Sequence, residues 1–308
     1  MTSVSGAHPH DEALATPPAH PEAPAKGPPS RPPLVPDAPL VVIERSAPWT
    51  SLDLRGLWSH RELFFFLVWR DITVRYRQTV LGAGWAVLQP LATMLVFAYV
   101  FGRLVKMPSD GLPYPVFAYT GLLIWTFFSN AVALASNSIV GDAGLIAKIY
   151  FPRLIIPAAT VAGSLIDFAI ASVLLVPMMA YYGLDLGWSA LLVPVFMLLA
   201  MLLALAVGML VSALTVRYRD VRYALPFVVQ LWFFVTPIIY PASLVPAAHR
   251  WVLDLNPLTG IVEGYRKLLY GQPVAWASIA WSAAIVTALL FCAAHVFRRA
   301  EKSFAEFL

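Results

Sequence analysis

Trp85, Gln89, Thr93, Phe97 and Phe101 recur every four residues along one apolar run. Gln230, Phe233 and Tyr240, with Pro226 and Pro237, fall on one helical face of another, at steps of four and three. Aromatic rings stack on the C–H faces of sugars, while amides and hydroxyls hydrogen-bond sugar hydroxyls. The two stripes therefore suit the wall of a path for something polar. Lipid-facing aromatics are common in membrane helices, but an amide facing lipid is costly, so Gln89 and Gln230 favour the path. Asp167 is the other anomaly, a carboxylate about midway along an apolar run. Such groups face a bundle interior or a cavity. Pairing with a basic residue, hydrogen bonding across helices and protonation are all open for it, and so are a functional role and a structural clamp.

Other chemistries are excluded. There is no G-x-x-x-x-G-K-[ST] loop to cradle ATP phosphates, no HExxH, no CxxC and no G-x-S-x-G elbow. Cys292 is the single cysteine, so neither a disulfide framework nor a cysteine metal site is available. His295 shares its apolar run near a basic end, where an interfacial role suffices. His8, His10 and His20 stand among prolines, as in a solvated tail. Arginines cluster at the ends of apolar runs rather than on one face, which argues against nucleic acid as a partner.

These residues need membrane elements to hold them. The chain is 59% hydrophobic and 12% charged, with a mean hydropathy of +0.73; ordinary soluble domains carry about 25% charged residues. The expected class is an all-α integral membrane protein. A charge-free run from Val80 to Phe101 is long enough to cross a bilayer, about 20 residues sufficing, and Pro90 puts a kink in it. Spans are read at 80–104, 114–139, 154–182, 189–215, 222–240 and 275–297. Lys and Arg flanking them number thirteen on one side against five on the other, which gives six spans with both termini cytoplasmic.

Three regions follow. Residues 1–48 hold twelve of the 26 prolines and few aromatics, the composition of a disordered cytoplasmic tail. Residues 49–79 form an interfacial amphipathic helix region ahead of a six-helix transmembrane domain at 80–308. Ser59-His60-Arg61-Glu62 reads as a capping box for that helix, and Arg70, Arg75 and Arg77 face headgroups. A plain cytoplasmic extension of the first span is the alternative.

Two basic loops and one outer loop are unusual. Residues 141–157 join a short helical piece to the corner Lys148-Ile149-Tyr150-Phe151-Pro152-Arg153, and 215–226 pack Arg217, Arg219 and Arg222 into one turn. Positive-inside anchoring explains the charges; a compact aromatic surface in the first loop also suits docking of a soluble partner. In 242–271, Asn256 caps and Pro257 opens a helix that Gly271 stops. Leu258, Ile261, Val262, Tyr265, Leu268 and Leu269 share one face, with Glu263, Arg266 and Lys267 opposite. A re-entrant helical hairpin between spans five and six and a hairpin lying flat on the membrane both fit.

The runs LFFFLVWRDITVRYRQTVLGAGWAVLQPL, FAYTGLLIWTFFSNAVALASNSIVGDAGLIAKIYFPRLIIP and NPLTGIVEGYRKLLYG, in that order, resemble the permease subunits of ABC type-2 exporters. Among these the chain is most similar to O-antigen and capsular-polysaccharide export permeases, with teichoic-acid exporters as relatives; the resemblance covers roughly 55–305. It implies a homodimer with two copies of an ABC ATPase in the bacterial inner membrane. That assembly moves a polyprenyl-pyrophosphate-linked polysaccharide to the periplasm. ATP and magnesium then belong to the partner ATPase, with no cofactor and no catalytic residue in this chain. The resemblance assigns 63–78, with Arg70, Arg75 and Arg77, to a gate helix near the pyrophosphate. It assigns 141–153, with Leu145, Lys148, Tyr150, Phe151 and Arg153, to ATPase coupling. Spans one and five line the channel, and 244–271, with Asn256, Pro257, Tyr265 and Arg266, forms a periplasmic gate. A drug or lipid exporter of the same class is the nearest rival. A membrane glycosyltransferase needs acidic or basic catalytic groups in large outer loops, whereas the loops here are short with few carboxylates. A secondary transporter needs internal repeats and several intramembrane ionisable groups, whereas Asp167 stands alone and no repeat is present.

Overall fold

The computed structural model describes residues 58–77, 82–185, 187–301 and 304. The proline-rich region 1–48 lies outside the described residues. Among those described, every regular element is helical.

Helix α1, Arg61–Tyr76, contains neither Gly nor Pro and ends where Arg77 turns extended. The capping box does not form. Residues 58 and 59 already make a helical turn, so Ser59 lacks the extended backbone of a cap, and His60 takes that position without a side-chain cap bond. Leu63, Phe64, Leu67 and Val68 pack inward, whereas Phe65, Phe66, Trp69 and Val74 are exposed.

Helix α2, Gly84–Phe97, continues as a π-helix over Ala98–Leu104. In that widened turn Gly102 lies against the Tyr114 ring, where an added Cβ would stand 2.9 Å from Cδ1. Helix α3, Tyr114–Gly141, is the axis of the fold. In its apolar window 78% of residues are buried, against 11% for Gly84–Leu104. The four-residue α4, Ala143–Ile146, follows directly.

Helices α5, Ile155–Ser172, and α6, Leu175–Tyr182, form one long segment that stops at Gly183, left-handed at φ 64°. A 3-10 turn leads into α7, Val193–Arg217. Here Gly208 lets α7 cross α3 closely; a Cβ there would stand 2.7 Å from Ala135 Cβ. The main core forms where α3 meets α5, α7 and the later helices.

Helix α8, Val221–Val235, is shorter than the 222–240 span expected. Pro237 has no N–H to continue the ladder and restricts Thr236 before it, so the helix stops at Val235. At about 1.5 Å per residue it measures roughly 22 Å, short of the ~30 Å hydrocarbon core. Among the described residues, five other helical segments are long and apolar enough to cross a membrane.

After the break, Thr236, Ile238 and Ile239 are nonetheless buried. Irregular backbone at such depth needs protein partners. It finds them in Tyr114, whose hydroxyl donates to Ile239 O at 2.8 Å, and in the next helices. These are α9, Arg250–Leu255, and α10, Pro257–Leu269, followed by α11, Trp276–Glu301. A second core at the opposite end gathers Leu67, Ile139, Phe151, Ile155, Phe297 and Phe304.

Candidate functional site

A cavity of about 180 Å³ opens where the end of α1 meets α2, α3 and α5. Arg75, Tyr76, Trp85, Gln89, Asn130 and Asp167 line it, with Thr126, Phe127, Ser164 and Phe168 completing the wall. Arg75 Nη1 donates to Asp167 Oδ2, and the Tyr76 hydroxyl donates to Asp167 Oδ1. Of the states left open for Asp167, the structure shows pairing with a basic residue combined with hydrogen bonding across helices. Burial first, then the bond to Asp167, raises the Tyr76 pKa above its ordinary value, so the phenol stays a donor.

One turn earlier, Arg70 Nη1 and Nη2 each donate to Asp142 at 2.8 Å. Asp142 is the cap residue of α4. Arg70 also meets Asp71 Oδ1 at 2.8 and 3.1 Å, and Asp71 Oδ2 accepts from Thr160 Oγ1 at 3.2 Å. The Asp142 hydrogen bonds are the main cause that raises the Arg70 pKa, against the opposing effect of burial. Two of the three arginines are thus neutralised by carboxylates. Arg77 is exposed, and its side chain has no partner among the described residues.

The expected path residues divide into two groups. Trp85, 56% exposed, and Gln89 face the cavity, and Thr93 Oγ1 turns back to Gln89 O at 3.0 Å. Phe97 stacks edge-on with Phe101 at 5.7 Å and reaches Phe233 of α8 at 6.0 Å. Phe233 is buried and meets Trp125 of α3 at 5.3 Å, so these rings tie α2 and α8 to the core. Gln230 is exposed on α8, while the Tyr240 hydroxyl donates to Phe234 O at 3.1 Å, closing the helix end.

Residues 141–153 also separate. Lys148, Ile149 and Tyr150 point outward, Tyr150 being 90% exposed. Leu145 and Phe151 belong to the second core, Phe151 at 5% exposure. Arg153 Nη1 donates to Glu301 O at 2.7 Å and its guanidinium lies 5.8 Å from the Phe304 ring centre, anchoring α11.

Asn256, Pro257, Tyr265 and Arg266 are all buried. Asn256 Oδ1 accepts from Leu258 N at 3.1 Å, the cap expected, and from Trp232 Nε1 at 2.9 Å; its Nδ2 donates to Thr236 Oγ1 at 2.9 Å. Arg266 lies 3.6 Å from the Phe117 ring centre. It donates to Phe117 O at 3.2 Å, to Pro237 O and Ile238 O at 3.4 Å, and to Glu263 Oε1 at 3.0 Å. It serves the carbonyls set free where α8 breaks.

Sequence reasoning missed Thr126, Asn130 and Ser164. A signal was available for two of them, since Thr126 and Asn130 stand four apart and Asn137 seven further on, on one helical face; none marked Ser164. Chemically, the cavity pairs a neutralised ion pair with amides, hydroxyls and an indole, a set that hydrogen-bonds an uncharged polar ligand and stacks on it.

Comparison with known proteins places this architecture. Residues 62–270 match the ABC-2 type transporter family. O-antigen export system permease protein RfbA of Myxococcus xanthus is 31% identical over 256 residues, 82% of this chain and 98% of that protein. The protein of the same name from Klebsiella pneumoniae is 26% identical over 251 residues, 80% of this chain and 95% of that one. Polysialic acid transport protein KpsM of Escherichia coli is 25% identical over 245 residues, 76% of this chain and 92% of that one. With most of its length inside the family match and a bundle of membrane-length helices, the chain belongs to the ABC-2 type transporter family.

Proposed function

We propose that the chain is the permease subunit of an ABC exporter that carries a polyprenyl-pyrophosphate-linked polysaccharide across the bacterial inner membrane, from cytoplasm to periplasm. The observation that carries this reading is the nearly end-to-end match to RfbA of Myxococcus xanthus, named for O-antigen export. KpsM, named for polysialic acid transport, points to the same substrate class.

In this reading α8 is the fifth of six spans, α9 and α10 form the re-entrant hairpin before the sixth, and both termini are cytoplasmic. The excess of Lys and Arg near α1, α4 and the end of α11 supports that orientation. Two copies of the chain assemble with two ATPase subunits, which bring ATP and magnesium. Segment 141–153 docks on the ATPase through Lys148, Ile149 and Tyr150, its exposed residues. The outward faces of α2 and α8 line the path. Arg77 meets the pyrophosphate, because Arg70 and Arg75 are already held by carboxylates. The sugar next to it rests in the Trp85–Gln89–Asn130 cavity.

Deletion of the gene tests the function. Polymer accumulating inside the cell on its lipid carrier, with surface glycan lost, is the expected outcome. Normal surface glycan with lost drug resistance would instead favour a drug exporter.

A further inference from the structure

We propose that a second cavity, at the opposite end of the bundle from Arg70, is a binding subsite for a sugar unit of the exported glycan. The proposal rests on the reading of the chain as a glycan exporter. The cavity encloses about 310 Å³, at the small end of the roughly 300–1,000 Å³ of ligand clefts. Its walls are α9, α10, the start of α11 and three connections. Asp110 comes from the connection that follows α2, and Ser243 from the one that follows α8, and the two side chains are joined by a 2.7 Å hydrogen bond. The two helices that line the proposed path therefore both lead into this cavity.

Its polar groups are of both kinds. Asp254 and Glu263 supply acceptors, and Arg250 and Lys267 supply donors. A sugar hydroxyl donates and accepts, so a wall with both serves both halves of each hydroxyl. Three carboxylates line the wall, Asp110 included, beside two cations, and Glu263 also accepts from Arg266 behind it at 3.0 Å. Thr259 also lines the wall; it is 7% exposed, and its hydroxyl has no hydrogen-bond partner. A buried polar group left so is costly, and a ligand hydroxyl would relieve it. Helix α10 is two-sided here. Tyr265 and Arg266 turn to the core, leaving Glu263 and Lys267 to the cavity. Gly260 fixes that side against α11, since a Cβ there would meet Ser282 Oγ at 2.3 Å and Ser278 O at 2.9 Å.

The test uses the chain in complex with its ATPase, reconstituted in lipid nanodiscs. Ser278→Cys in a Cys292→Ser background reports the cavity through its rate of labelling by a water-soluble maleimide. Ala275→Cys, on the same rim, serves as a second reporter should the first misassemble. The probe is delipidated glycan purified from the same cells. Labelling should slow about threefold at a glycan concentration twice the Kd, and the protection should vanish in Lys267→Ala and in Thr259→Val. Labelling that ignores glycan overturns the proposal. Protection that tracks phosphatidylethanolamine in the nanodisc, and not glycan, also overturns it and gives the cavity to a lipid headgroup. The two readings fail separately. A deletion strain with normal glycan export removes the functional reading, whereas blocked export with glycan-insensitive labelling removes the subsite alone.

Discussion

Arg70 and Asp142 form a bidentate pair, with two hydrogen bonds of 2.8 Å joining residues 72 positions apart. The bond runs from the middle of α1 to the residue that begins α4. A fork-on-carboxylate pair is directional as well as strong, so it transmits rotation as well as tension.

Asp142→Asn should therefore lower export per ATP hydrolysed while leaving ATPase binding intact. The exchange Arg70→Asp with Asp142→Arg should recover part of the loss. Arg70 is one-third exposed, so the cost to folding should be only about 1–2 kcal/mol after screening. Transport and ATPase assays on the reconstituted complex check both points.

Asp167→Ala leaves Arg75 without its carboxylate and Tyr76 without its acceptor. Breaking one member of such a pair costs more than removing both. Asp167→Ala should thus lower the Tm in detergent more than Arg75→Gln with Asp167→Asn does. Equal Tm values for the two variants would show that leaving Arg75 without its carboxylate costs nothing.

Arg266 is 3% exposed and serves three backbone carbonyls. Arg266→Lys should fail to replace it, because an ammonium lacks the planar fork; a loss of about 3–5 kcal/mol is expected for Arg266→Ala. Gly121→Ala should act in the same place, its Cβ standing 2.7 Å from Arg266 Nη2. Unfolding followed by intrinsic tryptophan fluorescence measures all three.

Tyr150 and Phe151 are neighbours with opposite placements, one exposed and one buried. Tyr150→Ala should weaken co-purification of the ATPase without moving the Tm. Phe151→Ala should lower stability by about 3–5 kcal/mol through the cavity it leaves. Equal effects of the two on assembly would remove the docking assignment of Tyr150.

The purified chain alone should hydrolyse no ATP, since it carries no phosphate loop. Hydrolysis measured without a partner subunit would contradict the assignment of ATP chemistry to another chain.

Much of the fold was legible because charge marks helix ends. The spans from 114, 154 and 189 start within a few residues of Tyr114, Ile155 and the 3-10 turn at Trp188. The end of α8 was not, because Pro237 fits the helical face formed by Gln230 and Phe233 while also breaking the helix. The anomaly at Asp167 was visible, but its partner was not. Arg75 lies 92 positions away, and nothing in local spacing links them. Nor does sequence separate Tyr150 from Phe151, since which ring turns inward depends on how Leu67, Ile155 and Phe297 close around it.

The short α8 has a consequence for bilayer mechanics. Beyond Val235 the wall is folded protein rather than helix, secured by Arg266, Asn256 and Tyr114. The helix beside the proposed path is about a quarter shorter than the ~30 Å hydrocarbon slab. A polymer following α8 on the proposed path would therefore leave the helix about a quarter of the slab early and continue along packed, internally hydrogen-bonded backbone.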